Sequence, residues 1–158
     1  MATIKSKNVL GQEPAPIPVA QELVTAKASV AVTALQIDAG LVVQLLTLPA
    51  NCVPTGYVLS ATDLDTGTPA ITLDFGILND AGTAISTDAA DGGAKWLAGS
   101  TLAQAGGIAL HTASKTTYDV LGAVQPVDED RVVAVVVAVD AATAAAGTIG
   151  LELTYEAA

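Results

Sequence analysis

At 158 residues the chain suits one domain that buries roughly 65–70% of its unfolded surface, and its 51% hydrophobic content rests on Ala and Val with few aromatics. Sixteen acidic residues against six basic ones give a formal charge of −10, which repels phosphate backbones and excludes a nucleic-acid partner. The lone Cys52 excludes an intrachain disulfide scaffold and a cysteine-rich zinc site, and the longest uncharged apolar run, 132–139, falls far short of the ~20 residues of a membrane-spanning helix.

The start, "MATIKSKNVLGQEPAPIPV", lacks the apolar core of a secretory signal. Pro14, Pro16 and Pro18 alternate with Ala15 and Ile17, which fixes φ and removes backbone donors, so residues 1–24 are expected to form an extended Pro-rich arm. Lys5 and Lys7 face only Glu13 in the first twenty residues, and the other fifteen acids follow. A basic arm thus precedes an acidic body, residues 25–158. The arm's proline spacing and scarcity of large apolar side chains predict little gain from folding back on its own domain.

From residue 27 onward the hydrophobic period is two. Strands are predicted over 28–37, 41–48, 57–64, 71–77, 108–113, 118–124, 132–139 and 148–155, divided by turn-forming clusters such as "DAG", "DTGTP" and "NDAG". "AITLDFGIL" sets Ile71, Leu73, Phe75 and Ile77 on one face, and "TIGLELTY" does the same with Ile149, Leu151, Leu153 and Tyr155. In "VVAVVVAV" both faces are apolar, with Val133, Val135, Val137 and Val139 on one. That is the pattern of a central strand covered on both sides. The tract from Arg131 onward is read as an antiparallel hairpin with a long loop. In "AKWLAGSTLAQAGG", Trp96, Leu97 and Leu102 share a helical face after a possible cap at Asp91, which predicts one short helix within 94–105. The fold class is all-β: an antiparallel β-sandwich or jelly roll with one short helix and an extended N-terminal arm.

Catalytic signatures are sparse. His111 is the only imidazole, and in "IALHTA" it is expected as a solvent-facing strand residue. No "GxSxG", "HExxH" or phosphate loop occurs. Asp63 and Asp65 in "DLDTG" have the spacing of two calcium ligands but lack the rest of a calcium loop, so an acidic turn is expected. "DEDR" at 128–131 reads as a charged lead-in protecting a very apolar strand. Trp96 is expected to anchor the short helix on the sheet, not to serve as a sugar platform. The sequence predicts no enzyme activity, no cofactor and no metal site.

Three stretches, "LPANCVPTGYVLSATDLDTGTPAITLDFGILND", "KWLAGSTLAQAGG" and "DRVVAVVVAVDAATAAAGTIGLELTYEAA", together resemble the head decoration, or cement, proteins of tailed bacteriophages. The resemblance implies a β-sandwich or jelly-roll body, commonly a homotrimer, seated on the outside of the capsid against the major capsid protein after synthesis in the host cytoplasm. No nucleic acid or membrane partner is implied.

On that reading the arm lies along a neighbouring capsid subunit, and Ile4, Lys5, Lys7, Val9, Leu10, Ile17 and Val19 are the candidate contacts. The competing roles are a tail or fibre-associated module, for which no repeated shaft is visible, and a secreted carbohydrate-binding or adhesin domain, which the missing signal and scarce aromatics disfavour.

Overall fold

A computed structural model describes every residue except positions 1, 20, 21 and 114. Among the described residues, nine strands run in the order β1 Thr3–Lys5, β2 Val24–Val32, β3 Val42–Leu48, β4 Cys52–Ala61, β5 Thr72–Ile77, β6 Leu97–Ser100, β7 Gly107–Leu110, β8 Arg131–Val139 and β9 Gly147–Ala157, with one α-helix, α1 Lys115–Gly122, between β7 and β8. They form a five-stranded sheet ordered β1-β3-β8-β5-β6 and a four-stranded sheet ordered β2-β9-β4-β7. The strand pairs are antiparallel except β1 with β3, which is parallel. This is the all-β sandwich with one short helix that the periodicity predicts.

Its core lies between the sheets. Ile71, Leu73, Phe75, Ile77, Val133, Val135, Val137, Leu151, Leu153 and Tyr155 are all buried there. Bulges adjust the alternation where the sequence breaks it. In β3 the register shifts between Gln44 and Leu46, so the adjacent Leu45 and Leu46 can both be buried. Three rings give the small-residue core its bulk: Tyr57 stands edge-on to Phe75 with centroids 4.8 Å apart, and Trp96 lies stacked on Tyr57 at 5.9 Å and edge-on to Phe75 at 5.3 Å.

β8 is the middle strand of its sheet, as its two apolar faces require. Val133, Val135 and Val137 enter the main core, while Ala134 and Val136 join Val42, Leu78 and Ile85 in a second buried cluster on the outer face. Leu78 and Ile85 bridge each other at the base of the loop that follows β5. The second face of the valine tract is therefore covered within the chain at Ala134 and Val136, while Val132 is half-buried and Ala138 exposed.

The structure corrects several sequence expectations. β8 and β9 do not form a hairpin, because they belong to different sheets and the connection between them crosses the sandwich. Residues 94–105 hold no α-helix: Leu97–Ser100 pairs with β5, and only a 3₁₀ turn follows at Leu102–Gln104. Gly99, at φ +60°, adopts a left-handed conformation that suits a glycine and breaks a helix. The helix is instead at Lys115–Gly122, overlapping the strand expected over 118–124. Burial of Thr117 and Leu121, with Val124 just beyond, overrides that β propensity. β2 ends at Val32, and a 3₁₀ turn at Ala34–Gln36 replaces the rest of the predicted strand.

Candidate attachment surface

The stretch before β2 lies along the body. Thr3–Lys5 adds a parallel edge strand to β3, with Ile4 half-buried and packed against the core. The hydroxyl of Ser6 donates to the Leu45 carbonyl at 2.5 Å and accepts the Val9 amide at 3.3 Å. Asn8 accepts the Thr47 amide at 2.8 Å and donates to the Glu13 carbonyl at 2.8 Å, and both Ser6 and Asn8 are buried. Farther along, the Tyr155 hydroxyl donates to the Pro16 carbonyl at 2.6 Å. Burial first, and then the neighbouring Cys52, push the Tyr155 phenol up to about 12.

The expectation that this segment gains little by folding back is thereby overturned. Polar contacts, more than apolar ones, secure it: Ser6 and Asn8 satisfy backbone groups at the edge of β3, and the Tyr155 hydroxyl of β9 satisfies the Pro16 carbonyl. A hydrophobicity count does not detect that kind of anchoring. Of the candidate contacts, Lys5, Lys7, Leu10, Ile17 and Val19 are exposed, whereas Ile4 and Val9 are half-buried. Lys7 pairs with Glu13 at 3.4 Å in solvent, an ion pair of little energetic weight. Leu23 is also exposed, although it is not among the candidate contacts read from the sequence.

The residues weighed for chemistry occupy structural positions. Asp65 is 1% exposed. Its oxygens accept four amides: Ala70 at 2.6 Å, Ile71 at 2.9 Å, Ala142 at 3.0 Å and Thr143 at 2.7 Å. Burial pushes this carboxyl up, and the amides of Thr143, Ala70, Ile71 and Ala142 together pull it down further, to about 2. Asp63 accepts the amide of Asp65 at 3.0 Å, so the pair forms the acidic turn expected of it. Among the described residues, no group of three or more His, Cys, Asp or Glu is placed to hold a metal ion.

His111 follows β7 instead of lying in it, and it is half-buried. Its Nδ1 lies 3.3 Å from the Tyr57 amide, and a Cβ at Gly56 would stand 2.8 Å from its ring. The imidazole therefore fills the space that Gly56 leaves open on β4. Arg131, 7% exposed, bonds Asp91 at 3.0 Å, the Ala90 carbonyl at 3.2 Å and the Cys52 carbonyl at 3.1 Å. The expected charged lead-in thus contains an internal tie, and Asp91 serves that tie in place of capping a helix. Asp130 accepts the Ala50 amide at 2.9 Å. Trp96 is the large core filler expected, but it stands just before β6 and not on a helix. No helix among the described residues is long and apolar enough to cross a membrane.

The described residues form a two-sheet sandwich whose first segment carries exposed apolar and basic side chains. No protein-family model and no curated protein sequence matches the chain. Solved structures do. The chain is 31% identical to a chain from the capsid of Ralstonia phage GP4, covering 99% of both chains with a TM-score of 0.80. A chain from the cyanophage Pam1 capsid asymmetric unit shares the fold, with 24% identity, a TM-score of 0.60 and coverage of 94% of this chain and 96% of that one. The protein is a phage structural virion protein. It belongs to the family of the Ralstonia phage GP4 capsid chain.

Proposed function

We propose that this protein decorates the outside of a bacteriophage capsid and stabilises it by bridging major capsid protein subunits. The observation that carries the reading is the end-to-end likeness to a chain of a phage capsid, joined to the resemblance of residues 48–158 to head decoration proteins. A sandwich of this size adds contact area across subunit boundaries, and many copies on a lattice gain avidity from individually modest sites.

In this reading the first segment supplies the contact. Leu10, Ile17 and Val19 offer apolar area, Lys5 and Lys7 add a salt-sensitive component, and Ile4 and Val9 link the contact to the body. A homotrimer is proposed on the resemblance alone, since Leu78 and Ile85 already cover the outer face of the valine tract. Light scattering at micromolar concentration tests it, with a trimer mass expected.

Copy number in purified particles tests the role itself. A lattice protein is present on the order of hundreds per particle, and a count of a handful would move the protein to the tail and overturn the proposal.

A further inference from the structure

Asp91–Gly92 is the one Asp–Gly step in the chain, and no Asn–Gly step occurs. At such a step an aspartyl side chain turns most readily on its own backbone, because the residue that follows has no Cβ to shield its nitrogen. The Gly92 nitrogen bonds to Asp91 Cγ, the amide hydrogen and the carboxyl hydroxyl leave as water, and a succinimide ring closes. Water then opens the ring. Opening at the former side-chain carbonyl restores aspartate. Opening at the α-carbonyl leaves isoaspartate, with the main chain routed through the side chain and longer by a methylene.

The fold requires this step. Gly92 stands at φ +99°, and a Cβ there would lie 2.6 Å from the Val120 carbonyl oxygen, so a side chain does not fit against α1. The turn also lies where an added methylene would be felt, since Asp91 bridges Val124 and the Gln125 amide donates to the Ala90 carbonyl at 2.8 Å.

Both reacting groups are engaged elsewhere. Asp91 Oδ1 accepts Arg131 Nη1 at 3.0 Å in an enclosed pair, and the Ala90 and Cys52 carbonyls fix the guanidinium at 3.2 and 3.1 Å. The Gly92 amide donates to the Ala89 carbonyl at 3.2 Å. Cyclisation needs the carboxyl to swing onto the Gly92 nitrogen and shed an oxygen, and a carboxyl tied to a fixed guanidinium does neither until the pair breaks.

We infer that Asp91–Gly92 is a latent site of spontaneous backbone isomerisation, which Arg131 holds closed. Such a lock serves a virion protein wherever it sits on the particle, because a particle outside its host does not renew its chains.

The test follows isoaspartate at position 91 by peptide mapping of the full-length protein, kept for weeks at neutral pH in heavy-oxygen water, which labels each ring opening. The folded parent is expected to react at least about 10-fold more slowly than the same chain unfolded in urea, and Arg131→Met about 10-fold faster than the folded parent. Arg131→Gln, which keeps a donor for the carbonyls but no cation for Asp91, carries the same expectation and serves where the Met variant does not fold. Phe75→Leu, which lowers the thermal midpoint and leaves the pair intact, is expected to react at the parent's rate. Equal rates for the folded and unfolded parent, or a folded Arg131 variant as slow as the parent, overturn the lock. Phe75→Leu reacting as fast as the Arg131 variant also overturns it, because global opening and not the pair then sets the rate.

Discussion

The amide of Thr143 donates a 2.7 Å hydrogen bond to Asp65 Oδ1, joining the loop after β4 to the segment that carries the chain from one sheet to the other. With Ala142, Ala70 and Ile71 on the same carboxylate, this one side chain takes over the role that a hairpin turn would have had. Asp65→Ala leaves four amides without that acceptor, and a fall of several degrees in thermal midpoint is expected. Because the folded carboxyl is depressed to about 2, its contribution is complete above the unfolded value of 3.8 and is lost as pH falls toward 2. Denaturant midpoints measured from pH 5 down to pH 2 should drop more steeply for the parent than for Asp65→Ala.

Arg131 and Asp91 form the most enclosed ion pair described. Asp91→Ala leaves a buried guanidinium with only the Ala90 and Cys52 carbonyls, and a loss of about 3 kcal/mol is expected. Combining it with Arg131→Met removes the stranded charge and should recover most of the loss. A double variant no more stable than Asp91→Ala would show that the two carbonyl bonds, not the pair, set the energy.

Phe75 is fully buried between Tyr57 and Trp96, so Phe75→Ala should lower stability by about 3–5 kcal/mol in equilibrium unfolding. Tyr57→Phe is expected to act the other way. The Tyr57 hydroxyl is buried without a hydrogen-bond partner, and burial pushes it up to about 12. Removing it should raise stability by about 1 kcal/mol.

Tyr155 is held in its neutral form by burial, and its hydroxyl secures Pro16. The stability it contributes is complete below about pH 10 and is lost as pH rises through about 12. Tyr155→Phe should remove that alkaline dependence and cost about 1 kcal/mol at neutral pH. Proteolysis between residues 10 and 20 should quicken in the same variant, which reports release of the first segment directly.

The strands were legible where alternation was strict. "AITLDFGIL" and "TIGLELTY" declare their faces because each inward residue is large or branched and each outward one is small or polar, and "VVAVVVAV" declares a central strand because both its faces are apolar. What stayed hidden depends on single contacts between distant residues. Nothing local marks Asp65 as the acceptor for the crossover, so proximity in sequence made β8 and β9 look like a hairpin. The helix was misplaced for a related reason: Trp96, Leu97 and Leu102 have helical spacing, yet Phe75 and Leu73 take that segment as a strand partner. Lys5, Lys7, Leu10, Ile17 and Val19, exposed on the first segment, were identifiable by composition, whereas the equally exposed Leu23 was not. The segment's fastening by Ser6, Asn8 and Tyr155 was not either, because those bonds reach strands 39 and 139 residues away.

The sheet order also governs when the molecule can fold. β8 lies in the middle of one sheet and β9 is an inner strand of the other, and both come from residues 131–157. Until the ribosome has released that stretch, β3 and β5 have nothing between them, and β2 and β4 are likewise unjoined. A chain lacking it can hold only the pairs β1-β3, β5-β6 and β4-β7, and neither layer is complete before β8 and β9 join them. Such long-range closure is slow, and it leaves strand edges unpaired until it is complete.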